Sequence, residues 1–173
     1  EQVDSITADP HKMGLNIIPS GGLFIRSEKV IQKLGFEIPY LAGGNFKHLH
    51  IVGTRPGGTV VSFWALMKYL GRKGFRQIVQ NCMKNTKYLS EEIQNIKGVT
   101  LAAEPVMNIL GITTENGESI CELDEKLREY DWMLGKFEKF NLIRVVIMPH
   151  VKRSHLKAFG TDLKTVAHEL GLN

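Results

Sequence analysis

The tetrapeptide Asp9-Pro10-His11-Lys12 places an amine directly after an imidazole, in a stretch that otherwise has the composition of strands and turns. A lysine near its reference pKa of about 10.4 is protonated and a poor nucleophile at neutral pH, so covalent chemistry requires that it be desolvated or placed near another cation. We predict that Lys12 is a nucleophilic amine in a buried cleft. The alternative is a solvated loop lysine, the common outcome for a His-Lys pair.

Two short strands are predicted to position this lysine. Ser5-Ile6-Thr7-Ala8 consists of small and β-branched residues, and Leu23-Phe24-Ile25 is an apolar run after a Gly-Gly turn. Lys12 would lie in the connection between them.

The glycine-rich segment Gly53-Thr54-Arg55-Pro56-Gly57-Gly58 precedes a helical pattern that starts near Thr59. Glycine lets backbone N–H groups approach an anion closely, and the positive end of the helix would point towards it. The segment is not a P-loop, because no Gly-Lys-Ser/Thr follows at the required spacing. Arg55 could bind the anion or form a structural ion pair, and the sequence leaves both open.

Arg144 begins the strand-like run Val145-Val146-Ile147-Met148. A guanidinium group matches a carboxylate in two parallel hydrogen bonds, which suits the orientation of an amino-acid substrate. A surface arginine at a strand end is the alternative. His48 and His50 alternate on a possible strand, but no third ligand is near them, so we predict no metal site.

The remaining pattern alternates strands with helices. Helices are expected over residues 28–34, from 59, from 75 to 96, over 118–130 and over 152–170; strands over 99–102, 108–114 and 142–148; and a loop over 36–44. Such an order predicts a compact α/β protein with a boundary near residue 74.

Composition limits the class of protein. The chain has 173 residues, 43% of them hydrophobic, and a net charge of +4 whose basic residues are spread along the sequence, which argues against nucleic-acid binding. Cys82 and Cys121 lack Cys-x-x-Cys spacing, and no apolar run approaches the roughly 20 residues that span a bilayer. We expect a soluble, cytoplasmic protein without a membrane partner.

Several motifs together resemble one family. These are the Lys12 tetrapeptide, Gly53-Thr54-Arg55, and the runs over residues 18–26, 39–41 (Pro39-Tyr40-Leu41), 69–72 and 144–150. The chain resembles the pyridoxal-phosphate (PLP) dependent group II amino-acid decarboxylases, most closely the archaeal branch that acts on L-tyrosine or L-aspartate. The resemblance implies the fold of the fold-type I PLP enzymes. Residues 1–74 would be the C-terminal remnant of the large PLP-binding domain and residues 75–173 the small C-terminal α/β domain.

The resemblance also implies roles for individual residues. Lys12 would form the Schiff base with PLP, His11 would donate to the cofactor phosphate, and Arg144 would bind the substrate carboxylate. Gly53 and Thr54 would complete the phosphate site of the neighbouring subunit, which implies a homodimer. For His11 the alternative is a loop histidine bonded to backbone, and Tyr40 would line the substrate entrance or only pack.

The activity implied is decarboxylation of tyrosine to tyramine or of aspartate to β-alanine. In this family the other cofactor-binding residues precede the lysine, so we expect the chain to be the C-terminal part of a longer polypeptide and to be inactive alone. Two alternatives remain open. One is a PLP-dependent carbon–carbon lyase of the sphingosine-phosphate-lyase type, and the other is a folded assembly module without catalysis.

Overall fold

The computed structural model describes residues 3–40, 43–44 and 46–172. The chain divides into two compact units, Glu1–Arg72 and Lys73–Asn173, which we call the N-terminal and C-terminal units. Leu41 of the Pro39-Tyr40-Leu41 motif lies outside the described residues. The division comes two residues before the predicted boundary, and the identity of the units as parts of a large and a small domain stays a prediction.

The N-terminal unit begins with an antiparallel hairpin. Strand β1 (Ser5–Ala8) pairs with β2 (Gly22–Ile25), with Ser5 opposite Ile25 and Ala8 opposite Gly22. Both strands were predicted, and Lys12 lies in their connection as expected.

The hairpin is followed by a helix and a second strand pair. Helix α1 (Glu28–Leu34) ends before Gly35, as predicted. The predicted loop over residues 36–44 is partly wrong, because β3 (Phe36–Ile38) pairs antiparallel with β4 (Phe46–His48). The loop signals Pro39 and Gly43-Gly44 belong to the connection, whereas the three residues before them alternate as a strand does.

Helix α2 runs from Gly58 to Gln94 and is interrupted at Gly71, which has φ 56° and ψ −174°. That positive φ is accessible to glycine at little cost, because glycine lacks a Cβ. The sequence predicted two separate helices, and the break at Gly71 corresponds to the gap between them.

The C-terminal unit contains a four-stranded sheet in the order β5-β6-β8-β7 with antiparallel pairing throughout. The strands are β5 (Val99–Leu101), β6 (Ile109–Thr114), β7 (Gly135–Phe137) and β8 (Leu142–Val146). Strand β7 was not predicted, because three residues before a 3₁₀ turn (Glu138–Phe140) are too short to show a period.

Helices α3 (Ile120–Glu129) and α4 (Arg153–Glu169) complete the unit and bury its hydrophobic core. The Ser119 hydroxyl caps α3 by accepting the Cys121 N–H. Four apolar side chains of α4, three or four residues apart along the helix, are buried: Leu156, Phe159, Leu163 and Val166. On β8 the buried Ile143 and Val145 alternate with the exposed Arg144, which therefore lies on the other face of the sheet.

The N-terminal unit has a different interior. Among its described residues the buried side chains are Asn16 and Thr59, both polar. Many of its large apolar side chains are exposed, including Phe24, Val60 and Trp64. The hydrophobic core of the chain therefore lies in the C-terminal unit.

Candidate functional site

Lys12 is held in a tight backbone turn. Its N–H donates to Asp9 O at 2.9 Å, the Leu15 N–H donates to Lys12 O at 3.0 Å, and the Asn16 N–H donates to Pro10 O at 2.9 Å. Leu15 adopts a positive φ of 59° to close the turn. These bonds fix the backbone on both sides of the lysine.

The Lys12 side chain is open to solvent. It is 67% exposed, and its Nζ lies 2.7 Å from Asp9 Oδ2. The prediction of a desolvated amine in a buried cleft is therefore wrong for the described chain, since the flanking strands β1 and β2 are themselves largely exposed and do not cover it. The hydrogen bond from Lys12 is the main cause that lowers the pKa of the Asp9 carboxyl. Desolvation raises this pKa by less, and the charges of Lys12 and His11 lower it further.

His11 is half-buried, and its Nδ1 contacts the backbone carbonyl of Ser20. The Ser20 N–H also points to Nδ1, at 3.4 Å, so the Ser20 backbone surrounds this nitrogen and Nε2 is the one that would reach another partner. The structure thus contains the backbone-bonded histidine that was the alternative, while the phosphate role of Nε2 stays a prediction.

A cavity of about 440 Å³ lies beside the turn and is lined by Asn16, Ser20, Arg55 and Thr59, among others. Ser20 Oγ and Asn16 Oδ1 are buried and have no hydrogen-bond partner within the described part of the chain. A buried hydroxyl without a partner is costly, so a ligand or water group is expected to satisfy it. Hydroxyl and guanidinium groups donate to a phosphate monoester, and the Ser20 hydroxyl and Arg55 therefore fit the PLP phosphate.

The glycine-rich segment before α2 is exposed at Gly53 and Thr54. Their predicted contact with a phosphate in the neighbouring subunit stays a prediction. Arg55 forms no ion pair with any residue that the structure describes and lines the cavity instead. The structural ion pair proposed as its alternative is not observed.

Arg144 lies between two glycines, Gly111 on β6 and Gly135 on β7. Its guanidinium carbon is 5.2 Å from the centroid of the Phe137 ring. The guanidinium lies over Gly135, where an added Cβ would come within 3.6 Å of its nitrogens. The geometry leaves its fork of N–H donors available for a carboxylate.

A second cavity, of about 410 Å³, is lined by Arg144 together with His150 and His155, and no carboxylate of the described residues lines it. The Lys152 N–H points to His155 Nδ1 at 3.4 Å, in a capping arrangement at the start of α4. Sequence spacing carried no signal for this cavity, because it forms where β7, β8 and α4 meet.

The rings of His48 and His50 lie close together, with their centroids 5.6 Å apart and their planes nearly perpendicular. The Nδ1 atom of His48 lies 2.8 Å from the carbonyl oxygen of His50, and β4 ends at His48. Within residues 3–40, 43–44 and 46–172 no three side chains suited to bind a metal come together. Tyr40 is exposed, with no further contact that assigns it a role.

Comparison with known proteins decides the family. The profile of the pyridoxal-dependent decarboxylase conserved domain matches residues 1–112. The chain belongs to the pyridoxal-dependent decarboxylase family. Pyridoxal phosphate is the cofactor that this family uses, in agreement with the resemblance seen in the sequence.

Archaeal proteins are similar over nearly the whole chain. A probable L-aspartate decarboxylase of Thermococcus gammatolerans is 42% identical over 164 residues, which cover 95% of this chain and 42% of that protein. The L-aspartate decarboxylase of Thermococcus kodakarensis is 40% identical over 168 residues, which cover 97% of this chain and 42% of that protein. The chain thus spans about two fifths of the length of these curated relatives.

The fold is that of the fold-type I PLP enzymes. The crystallised sphingosine-1-phosphate lyase of Burkholderia pseudomallei superposes with a TM-score of 0.83 at 21% identity, over 96% of this chain and 38% of that one. At this identity the likeness establishes the fold alone. No helix in the described ranges is long and apolar enough to cross a membrane.

Proposed function

We propose that the complete protein decarboxylates an L-amino acid with PLP and that Lys12 is the covalent anchor of the cofactor. The proposal rests chiefly on the family match, which includes the Lys12 turn, and on relatives about 40% identical that are named decarboxylases. PLP supplies an electron sink for the pair released when the bond between Cα and the carboxylate breaks.

The residues of this chain would bind the cofactor and orient the substrate. Lys12 offers its amine from a turn that backbone hydrogen bonds hold in place. His11 and the unpartnered Ser20 hydroxyl would donate to the phosphate, with Arg55 neutralising its charge. Arg144 would orient the substrate through its carboxylate.

Aspartate is the substrate that we propose, giving β-alanine, with tyrosine as the alternative. The names of both Thermococcus relatives support aspartate. The cavity at Arg144 offers guanidinium and imidazole groups, and its described lining contains no competing carboxylate, which suits an anionic substrate. Carbon dioxide release from the complete enzyme should be measured with aspartate, glutamate and tyrosine, and a clear preference for tyrosine would reject the aspartate assignment.

The anchor is tested by borohydride reduction of the complete protein with PLP, followed by peptide mass analysis. We expect a pyridoxyl adduct on Lys12 and none in Lys12→Ala. Lys87→Ala is the matched control, because Lys87 is also exposed and paired with a carboxylate, at 3.8 Å from Glu91. A visible absorbance band and an adduct that persist in Lys12→Ala would reject Lys12.

We also propose that the active enzyme is a cytoplasmic homodimer in which Gly53 and Thr54 contact the phosphate of the other subunit. Two free cysteines are consistent with a reducing compartment. Mixing inactive Lys12→Ala subunits with inactive Thr54 variants should restore part of the activity if the sites are shared. Sedimentation of the complete protein as a monomer at its working concentration would exclude this arrangement.

A carbon–carbon lyase is the second candidate, and the superposition on the sphingosine-1-phosphate lyase supports it at the level of fold. Assays that measure aldehyde release and carbon dioxide release separate the two reactions.

We further propose that residues 1–173 alone are inactive and serve only in the assembly of the complete protein, since the chain spans two fifths of the length of its relatives. Turnover by this segment without any other polypeptide would contradict that.

A further inference from the structure

We infer that Asn16 is a positioning residue whose side-chain hydrogen bond holds the Lys12 turn against the first turn of helix α2. Its side-chain Nδ2 donates to the backbone carbonyl of Thr59 at 2.8 Å, across 43 residues of sequence. Its own N–H donates to Pro10 O at 2.9 Å, which closes the turn that carries Lys12. One residue thus bonds the lysine turn and the start of the helix that follows the glycine-rich segment.

Burial makes this bond unusual in its unit. Asn16 is 7% exposed and Thr59 is 8% exposed, and no other described residue of the N-terminal unit is buried. A hydrogen bond shielded from water is stronger than an exposed one, and breaking it leaves the buried Asn16 amide without its acceptor. Phe63 of α2 also lies against Gly14 of the turn, where an added Cβ would come within 3.1 Å of its ring, and the Asn16 bond adds a directional contact to this packing.

The orientation of the amide follows from its partner. The Thr59 carbonyl only accepts, so Nδ2 must face it and Oδ1 must point away. Oδ1 is buried without a partner in the described part of the chain, and Asn16 lines the cavity that also contains Ser20 and Arg55. A carboxylate at this position would place an acceptor against the carbonyl and push the turn and the helix apart.

The test compares Asn16→Asp with Asn108→Asp in the complete protein. Asn108 is also 7% exposed, and its Nδ2 donates to the Ile147 carbonyl at 3.0 Å, but it lies in the C-terminal unit. Hydrogen exchange should be at least tenfold faster at the amides of Lys12, Leu15 and Asn16 in Asn16→Asp and unchanged there in Asn108→Asp. Unchanged exchange at these amides in Asn16→Asp, or equal acceleration in both variants, would overturn the inference.

The functional part of the inference depends on the proposed role of Lys12. The dissociation constant of PLP, followed through the reducible adduct on Lys12, should rise about tenfold in Asn16→Asp, which corresponds to about 1.4 kcal/mol. Asn108→Asp should lower the unfolding midpoint without this rise. Hydrogen exchange is measured without cofactor, so it tests the structural role of Asn16 independently of the cofactor. If the unmodified protein forms no adduct at all, the proposed function is rejected, and the exchange rates still test whether Asn16 holds the turn. If exchange accelerates but the adduct forms equally well, Asn16 has no positioning role.

Discussion

The Asp9 carboxylate and the Lys12 ammonium are 2.7 Å apart in a pair that remains open to water on a backbone turn. Asp9 is therefore the partner of this amine in the described chain. A nucleophilic Lys12 must lose both its proton and this partner, so any other element that approaches the turn has to compete with Asp9.

The first prediction concerns the acid titration of Asp9. Its pKa is lowered, first by the hydrogen bond from Lys12, so Lys12→Ala should raise it towards the ordinary value. A lowered pKa means that the pair stabilises the fold above the ordinary aspartate range and that this contribution is lost as pH falls through the folded-state pKa. The carboxyl resonance of Asp9, followed by NMR from pH 6 to about pH 2, measures the shift. Lys87→Ala should leave the titration unchanged, and an identical midpoint in Lys12→Ala would contradict the assignment.

The second prediction concerns Arg144. Arg144→Ala in the complete enzyme should raise KM for aspartate roughly tenfold or more, because a charge-assisted hydrogen bond contributes about 1.5–3 kcal/mol. Stability should change by less than about 0.5 kcal/mol, since the side chain is exposed. Steady-state kinetics and urea unfolding provide the two measurements.

Arg153 supplies the control for Arg144. Its guanidinium also stacks on an aromatic ring, 3.8 Å from the centroid of Tyr88, but it does not line the cavity. Arg153→Ala should leave KM unchanged. A similar rise in both variants would indicate a general electrostatic effect instead of a binding site.

The third prediction separates the two units by stability. Leu163 is fully buried on α4, and Leu163→Ala should destabilise the C-terminal unit by about 2–5 kcal/mol. Val60 on α2 is exposed, and Val60→Ala should cost less than about 0.5 kcal/mol in residues 1–173. Denaturant unfolding monitored by circular dichroism gives both values. A large loss in Val60→Ala would show that the apolar side chains of the N-terminal unit are packed after all.

The fourth prediction concerns the thiols. Cys82 is 2% exposed, and burial raises its thiol pKa, so both access and thiolate fraction are low. Cys121 is half-buried at the start of α3, with Lys136 Nζ 3.8 Å from its sulfur. Iodoacetamide at pH 8 should therefore alkylate Cys121 well before Cys82, as measured by peptide mass analysis. Equal rates under native conditions would refute the burial of Cys82.

The sequence predicted most elements because their signals are local. The β1–β2 hairpin, the end of α1 at Gly35 and the inner residues of α4 follow from strand composition, a glycine stop and a helical period. Strands β3 and β7 were missed, and β4 was predicted only as a possible strand at His48, because three-residue strands have too few positions to establish alternation. Their formation depends on pairing partners elsewhere in the chain.

The site was predictable in chemistry but not in its contacts. The residue types of the Lys12 tetrapeptide indicated an amine beside an imidazole, and a family resemblance supplied roles. The exposure of Lys12, the Asn16–Thr59 bond and the histidines beside Arg144 could not be read from spacing, because each joins segments distant in sequence or depends on what covers a side chain.

The scarcity of buried apolar side chains in the N-terminal unit has a consequence for preparing the protein. Residues 1–72 expressed alone would expose a large apolar surface and should aggregate into inclusion bodies. Residues 73–173 enclose their own hydrocarbon interior, so that segment is the part to choose for crystallisation or spectroscopy as a separate piece.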